Sequence, residues 1–249
     1  NGLLPSYLLF EPKKFELTGK KNRLGRDTVK VSEFQMRPLP LFLEAIARSF
    51  KLKENGVDAK AVHDKVLATE LFDKKCKIFK TCVNIEKESQ TEIGRVRAFT
   101  AGWLERESCF LHMTYKYLLG LIKSGLYEEY FKMCDTNMIC NMDPEVYGRS
   151  TLENSSFVVT SCYPDEKLHG QGFFARLTGA NCEYLNMFAL MLFGEKPFSY
   201  DGELKCTFRP ILKADYFDAN NDVSFLFLGA TRVTYHNPMR LDTYKASVK

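Results

Sequence analysis

Apolar residues recur at helical spacing in the early part of the chain. The run 41–50 places them three and four positions apart directly after Pro40, which predicts an α-helix that begins beside this proline. The Asn-Gly pair at 55–56 is typical of a helix end. Asp58 is the predicted N-cap of a second helix, which runs to about Phe72.

The helical pattern returns at Trp103 and continues for about six turns, until the Ser-Gly pair at 124–125 ends it. Four apolar residues form one stripe of this helix: Leu111, Tyr115, Leu118 and Ile122. A further helix is predicted over 126–134. The last predicted helix, 178–192, is apolar nearly all round, so we expect it to be buried on every side.

Alternating apolar and polar residues predict strands near both ends of the chain. The predicted strands cover 7–10, 14–17, 204–209, 223–227 and 232–235. Residues 20–27 are predicted to form a charged loop. Because helices account for most of the remaining pattern, the expected fold class is mainly α with a short C-terminal β-rich segment.

The stretch 142–179 follows neither period and holds polar, aromatic and glycine residues instead. A loop of this length inside a compact domain is usually functional or disordered. Its aromatic content argues against disorder. We therefore expect an ordered loop that faces a ligand and ends where a helix begins at Thr178.

Composition places the chain among globular proteins. With 249 residues, 45% of them hydrophobic, it can bury a sizeable core. The net charge of +4 comes from dispersed basic and acidic residues, so we expect solvated surface and no nucleic-acid partner. No segment approaches the ~18 apolar residues of a membrane span, so no membrane partner is expected.

Eight cysteines are scattered along the chain without a CxxC pair or a metal-ligand spacing with histidine. Neither a metal site nor a disulfide framework is predicted, and a reducing cytoplasm is the expected compartment. The chain opens at Asn1 inside an apolar run, so we expect it to be a fragment of a longer protein.

Two places could receive an anion. Thr178 and Gly179 open the last predicted helix, where unpaired amide groups and the helix dipole favour negative charge. The alternative is that Thr178 only caps its helix. His112 lies in a predicted helix, either as a hydrogen-bonded core residue or as a donor to an anion.

Other polar and aromatic residues are candidates for sugar contacts. Five carboxylates could hold sugar hydroxyls or act as acid or base, or could be surface residues: Glu105, Glu107, Asp143, Glu145 and Glu153. Tyr147 and Trp103, each beside a glycine, could offer a face to a sugar ring or pack within a loop. His169 is equally ambiguous, and His236 is interpreted as a turn residue. The signatures GxSxG, GxGxxG, HExxH and the P-loop are not found in the sequence, so no cofactor is expected.

Several longer motifs follow one another in a fixed order. They occupy 98–105, 110–113, 143–150, 152–157, 169–173, 175–179, 227–229 and 234–238. This succession, spread over about 38–240, resembles glycoside hydrolase family 94, which contains cellobiose phosphorylase and the 1,2-β-oligoglucan phosphorylases. The residues of these motifs are most similar to the 1,2-β-oligoglucan phosphorylase branch.

The resemblance implies part of an (α/α)6 barrel followed by a short β-rich tail. The expected divisions are an irregular or β lead-in over 1–37, a partial (α/α)6 catalytic barrel over 38–200 and the start of the β-rich tail over 201–249. Members of the family resemble inverting glycosidases in which phosphate replaces water and yields α-glucose 1-phosphate. One carboxylic acid protonates the leaving oxygen.

The resemblance also implies roles for particular residues. Phosphate binding falls on His112, Thr178 and Gly179. Sugar binding falls on Asp143 and Tyr147, although Asp143 stands where cellobiose-type enzymes have a longer Glu. The catalytic Asp and a basic phosphate ligand would precede the first residue, so no catalytic residue is assigned and the chain alone is expected to be inactive.

The expected function is therefore the C-terminal part of an inverting glycoside phosphorylase that acts on β-linked gluco-oligosaccharides, with β-1,2 linkage favoured. Inorganic phosphate would be a co-substrate, and a homodimer is expected. Two alternatives remain open: the phosphorylase-like region of a cyclic β-1,2-glucan synthase, and a non-catalytic carbohydrate-binding protein.

Overall fold

Helices and short antiparallel strands alternate along the chain in this computed structural model, which describes residues 2–55, 58–175 and 178–245. The α-helices are α1 (Leu43–Ser49), α2 (Ala59–Ala68), α3 (Gln90–Ile93), α4 (Leu111–Lys123), α5 (Tyr127–Asn137), α6 (Pro144–Tyr147) and α7 (Thr178–Phe193). Short 3₁₀ turns lie between several of them.

The strands are short except for the first two. They are β1 (Leu8–Lys21), β2 (Asp27–Pro38), β3 (Phe72–Asp73), β4 (Ile78–Phe79), β5 (Cys109–Phe110), β6 (Ser155–Val158), β7 (Gly172–Ala175), β8 (Phe198–Tyr200), β9 (Leu204–Cys206), β10 (Asp222–Phe227) and β11 (Thr231–His236). All pairings between them are antiparallel: β5, β6 and β7 form one three-stranded sheet, and the others pair two by two.

The expectation of a mainly α chain carrying part of an (α/α)6 barrel is wrong. The described part of the chain is 34% helical and 26% strand, with the strands in small antiparallel sheets, so the fold is mixed α/β. Three differences contribute. The stretch 142–179, expected to be a loop up to the helix start at Thr178, contains α6, β6 and β7, and the helix expected from Trp103 begins only at Leu111. The strands β1 and β2 are also much longer than the expected 7–10 and 14–17.

The late start of α4 has a backbone cause. Leu104 and Glu107 have φ of 52° and 57°, which lies in the left-handed region that a right-handed helix cannot contain. Two of the residues that were predicted to be helical therefore form a tight turn before β5. The backbone of Tyr163 approaches Gly102 so closely that a Cβ atom on residue 102 would overlap the backbone nitrogen of Tyr163.

The core is centred on α4, which packs against α1, α5 and α7. The predicted stripe of α4 is confirmed, because Leu111, Tyr115, Leu118 and Ile122 are all buried. Gly120 on the same helix allows the ring of Phe50 to lie directly on the helix backbone. The N-cap prediction at Asp58 is also confirmed, since its side chain accepts a hydrogen bond from the amide of Ala61.

Helix α7 begins at Thr178, as expected, but the prediction that it is buried on every side is wrong. Ala180, Met187, Leu190 and Met191 are buried, whereas Leu185 is 68% exposed. Apolar residues therefore lie both on the packed side of the helix and on the side that faces solvent. No helix in the described part of the chain is long and apolar enough to cross a membrane.

The three-stranded sheet sets the direction of α4 and α7. Its middle strand β6 is antiparallel to both β5 and β7, so β5 and β7 run in the same direction. Strand β5 continues directly into α4, and β7 ends three residues before Thr178. Both helices consequently begin at the same edge of the sheet.

The two ends of the chain carry hairpins. β1 and β2 pair along most of their length, so the expected short strands and charged loop are replaced by one long hairpin with a turn at 22–26. Near the C-terminal end, β10 and β11 agree with the strands predicted over 223–227 and 232–235. The hydroxyl of Tyr235 donates to the carbonyl of Leu192 at 2.6 Å, which attaches this second hairpin to α7.

Candidate functional site

The first turns of α4 and α7 meet at a junction formed by His112 and Gly179. A Cβ atom built on Gly179 would lie 2.6 Å from Nδ1 of His112 and 2.8 Å from its Cγ and Cε1 atoms. Such distances are far shorter than van der Waals contact, so only glycine at 179 lets the imidazole rest on the backbone of α7. The expected proximity of these two residues is therefore observed.

The two helices run side by side in the same direction. At one end His112 lies against Gly179, and at the other Lys123 forms an ion pair with Glu195 at 2.9 Å. The free amide groups of both first turns, together with both positive dipole ends, are thus brought to one place. Helix starts of this kind are suited to bind an anion.

Two charged side chains flank His112. Its Nε2 atom lies 3.7 Å from Oε1 of Glu183. Partial burial and the charge of Lys116 lower the pKa of His112 below its ordinary value of 6.5, and Glu183 opposes this shift. The shift favours the neutral imidazole, which can donate one N–H to a ligand.

A chain of hydrogen bonds holds the neighbouring turn of each helix in place. The hydroxyl of Tyr115 on α4 donates to Oδ1 of Asn154 at 2.7 Å, and Nδ2 of Asn154 donates to Oδ1 of Asn181 on α7 at 2.8 Å. The hydroxyl of Tyr115 also accepts from the amide of Ile139. These bonds link α4, α7 and the start of β6, so they fix the separation of the two helix starts.

Of the other residues with expected roles, Thr178 is the first residue of α7 and is exposed. Asp143 is also exposed and caps α6, where its carboxylate accepts a hydrogen bond from the amide of Glu145 at 2.9 Å. A sugar hydroxyl can still reach the free part of this carboxylate.

Tyr147 is placed differently from the expectation that its ring faces a sugar. The residue is fully buried, and its ring lies against Gly172. Its hydroxyl donates to the carbonyl of Glu153 and accepts from the amide of Ser155. Because Ser155 pairs with Ala175, the last residue of β7, Tyr147 supports the strand that leads to α7.

Trp103 is likewise used for packing. One face of its indole stacks on Phe173, with ring centroids 3.8 Å apart and planes within 1°. Phe173 continues the stack to Phe157 and then to Phe110. The aromatic residues of the central stretch therefore form a small second core on the three-stranded sheet.

The other two histidines that were considered as candidates, His169 and His236, are not at the junction. Nε2 of His169 lies 2.8 Å from the carbonyl of Tyr163, and its Nδ1 is buried without a hydrogen-bond partner within the described ranges. His236 ends β11, is largely exposed and pairs with Asp222. The hydrogen-bond partners of both therefore lie outside α4 and α7.

The remaining candidate carboxylates are held by local partners or face solvent. Glu105 pairs with Arg95, and Glu153 pairs with Arg149. Glu107 is buried, with one oxygen 3.6 Å from Nζ of Lys80. Glu145 is exposed. Among the described residues, no group of three or more His, Cys, Asp or Glu side chains could hold a metal ion.

The sequence reasoning missed Lys116 and Glu183. Each follows a recognised residue by four positions, Lys116 after His112 and Glu183 after Gly179, so each lies one turn further along its helix. Helical spacing would have identified both residues if the two helices had been known to be neighbours.

The fold and the junction together define a mixed α/β protein with a candidate oxyanion site between two helix starts. Compared with protein-family models and with curated proteins, the chain matches none.

Proposed function

We propose that this chain supplies the phosphate-binding part of an inverting glycoside phosphorylase, which cleaves β-linked gluco-oligosaccharides to α-glucose 1-phosphate. β-1,2-linked chains are the expected substrate. The observation that carries the proposal is the contact between the His112 ring and Gly179 at the point where α4 and α7 both begin.

The chemistry of the junction suits phosphate as a nucleophile. A phosphate oxygen at this place would accept hydrogen bonds from free amides of α7 and from one imidazole N–H of His112. Lys116 adds a positive charge one turn away from His112. Phosphate is already ionised at neutral pH, so attack on the sugar needs no general base, and a carboxylic acid must protonate the leaving oxygen.

Glu183 works against anion binding in the present arrangement. Its carboxylate lies 3.7 Å from Nε2 of His112, where it would repel a phosphate that accepts from the same ring nitrogen. We expect Glu183 to turn away when phosphate binds. The proposal therefore includes an exchange of one anionic partner of His112 for another.

The proposal does not depend on a barrel, which the fold contradicts. It assigns phosphate contacts to His112, Thr178 and Gly179 and a sugar contact to the exposed carboxylate of Asp143. The buried Tyr147 is given the role of supporting the strand before α7 rather than of touching the sugar. The general acid is not assigned to any residue of this chain.

Calorimetric titration with inorganic phosphate tests the proposal. The wild-type chain should bind phosphate, and His112→Asn should weaken binding by about tenfold or more, because it removes a hydrogen bond to a charged group. His236→Asn is the matched control, since His236 is exposed and lies outside the junction. Equal phosphate affinity in the wild type and in His112→Asn would contradict the proposal.

Two further titrations connect the site to the reaction. α-Glucose 1-phosphate should compete with inorganic phosphate, whereas binding of a β-1,2-gluco-oligosaccharide should be retained in His112→Asn. A chain that binds the oligosaccharide and shows no affinity for phosphate would instead be a non-catalytic carbohydrate-binding protein.

A further inference from the structure

The hairpin of β1 and β2 has one face made of apolar residues. It contains Leu8, Phe10, Pro12, Phe15, Leu17, Val29, Val31, Phe34, Met36 and Pro38. The opposite face carries Leu9, Glu11, Lys14, Glu16, Lys30, Glu33, Gln35 and Arg37. We call the first set the ribbon face.

Two irregularities in the pairing keep the ribbon face continuous. Lys13 is an extra residue in β1 between the pairs Pro12↔Phe34 and Lys14↔Glu33. Ser32 is an extra residue in β2 just beyond them. One extra residue in a single strand would turn its later side chains to the other face, and the second one restores the register. The chain thus maintains an apolar face from the pair Leu8↔Pro38 to the pair Leu17↔Val29.

Most of this face is open to solvent. Phe10, Phe15 and Phe34 are 62%, 58% and 55% exposed, and Leu17 and Met36 are 67% and 58% exposed. Isolated two-stranded hairpins are marginally stable in water, and exposed apolar patches of this extent mark interaction sites.

We infer that the ribbon face is the dimerisation surface of this protein, and that its partner is the ribbon face of a second copy. A twofold axis places the same patch on both partners, so a face that is apolar throughout is complementary to itself. Two such faces would pack as a small β-sandwich with their charged faces outward.

The available area agrees with a stable dimer. An aromatic side chain presents roughly 150–250 Å², so the exposed parts of the three phenylalanines offer about 350 Å² per copy. The exposed Leu8, Leu17, Val29 and Met36 offer about as much again, which gives roughly 1,400 Å² for the pair. This lies within the ~1,200–2,000 Å² of standard interfaces.

Charge favours an antiparallel arrangement of the two hairpins. The tip, 20–26, carries four basic side chains, no acidic one and the 71% exposed Leu24. At the other end of the hairpin lies a cavity of about 650 Å³, lined by apolar residues, Lys87 and the carboxylates of Glu70 and Glu88. Glu88 is already paired with Arg37 at that end, so the orientation is decided by the tips alone. An antiparallel pair keeps the two basic tips apart, whereas a parallel pair would bring them together and make them repel each other.

Sedimentation equilibrium of the full chain tests this inference. We expect a dimer at micromolar concentration. Phe34→Lys should raise its dissociation constant by at least about tenfold, because it places a charge in the interface. Gln35→Lys adds the same charge on the opposite face and should leave the dimer unchanged. Phe15→Lys, on the other strand, should reproduce the effect of Phe34→Lys.

Three results would overturn the inference. The wild type could be monomeric at about 100 μM, well above the dissociation constants of stable dimers. The dimer could persist in both lysine variants of the ribbon face. A monomer that binds vesicles of phosphatidylserine and phosphatidylcholine through the same phenylalanines would assign the face to a membrane surface instead. Circular dichroism should show native structure in every variant, since the ribbon face lies outside the main core.

Discussion

Two regions of the molecule differ in the exposure of their large side chains. These side chains are buried at the junction of α4 and α7 and exposed on the β1–β2 hairpin. Tyr115 at the junction and Tyr147 beside it are fully buried, and their hydroxyls are hydrogen-bonded. On the hairpin, Phe15 and Phe34 are more than half exposed, and charged residues on the opposite face form ion pairs with one another. The junction is stabilised from within the chain, whereas the hairpin has its apolar side available for a partner.

The largest effect should come from emptying a buried position beside the junction. Tyr147→Ala removes a ring with no exposed surface, and we expect a loss of about 3–5 kcal/mol in the free energy of unfolding. Phe15→Ala on the hairpin should change the monomer by no more than about 0.5 kcal/mol, since the ring is exposed. Urea denaturation at a protein concentration below the dimer dissociation constant measures both values. Similar losses would remove the contrast between the two regions.

A smaller loss should follow from crowding the junction. Gly179→Ala places a methyl group against the His112 ring, so we expect a cost of about 1–3 kcal/mol in place of the gain that alanine usually gives inside a helix. The double variant with His112→Ala provides the control. Removing the ring should remove most of the cost, and a cost that remains unchanged would place the strain elsewhere.

The hydrogen bonds of Tyr115 allow a more limited test. Tyr115→Phe leaves Asn154 and the amide of Ile139 without this partner, and we expect a loss of about 1–2 kcal/mol. Tyr244→Phe is the matched control, because the hydroxyl of Tyr244 lies 3.4 Å from Asp242, a longer contact than the 2.7 Å bond from Tyr115 to Asn154, and its ring is less buried. An effect no larger than that of the control would show that the chain of hydrogen bonds does not hold the helices.

Acidification should produce the smallest effect. His63 lies on α2, where it is buried with Nδ1 2.8 Å from the hydroxyl of Tyr117, and this burial lowers its pKa. Partial burial and Lys116 lower the pKa of His112. Just below pH 6.5 the unfolded chain therefore binds more protons than the folded chain. The free energy of unfolding decreases as the pH falls from 6.5 through the lower pKa values that the two histidines have in the folded protein. Denaturation at pH 8, 6 and 5 measures the slope. His63→Gln should reduce it, and stability that rises on acidification would contradict the assignment.

The elements that could be predicted are those whose signals are local. The side chain of Asp58 caps α2, so this residue type predicts the start of the helix. The apolar stripe from Leu111 to Ile122 predicts which side of α4 is packed. The neighbouring positions of His112 and Gly179 were implied only through the resemblance. Their distance depends on β6, which lies between β5 and β7, and no residue near either of them shows this.

Other features could not be predicted because they depend on distant neighbours. The charged residues of β1 and β2 obscure the alternation, and the extra residues Lys13 and Ser32 shift its phase. Helix α7 has the composition of a buried helix although Leu185 meets solvent. The position of Tyr147 in its motif predicts a contact with a ligand, but its hydroxyl accepts a hydrogen bond from the backbone amide of Ser155.

The most direct test of the proposed function follows the imidazole of His112 by NMR, with its signal assigned through His112→Asn. In the free protein the pKa of His112 should lie below 6.5, because of partial burial and Lys116. Saturating inorganic phosphate should raise it, since a bound anion favours the charged ring. A pKa of His112 that phosphate leaves unchanged would contradict an anion site between α4 and α7.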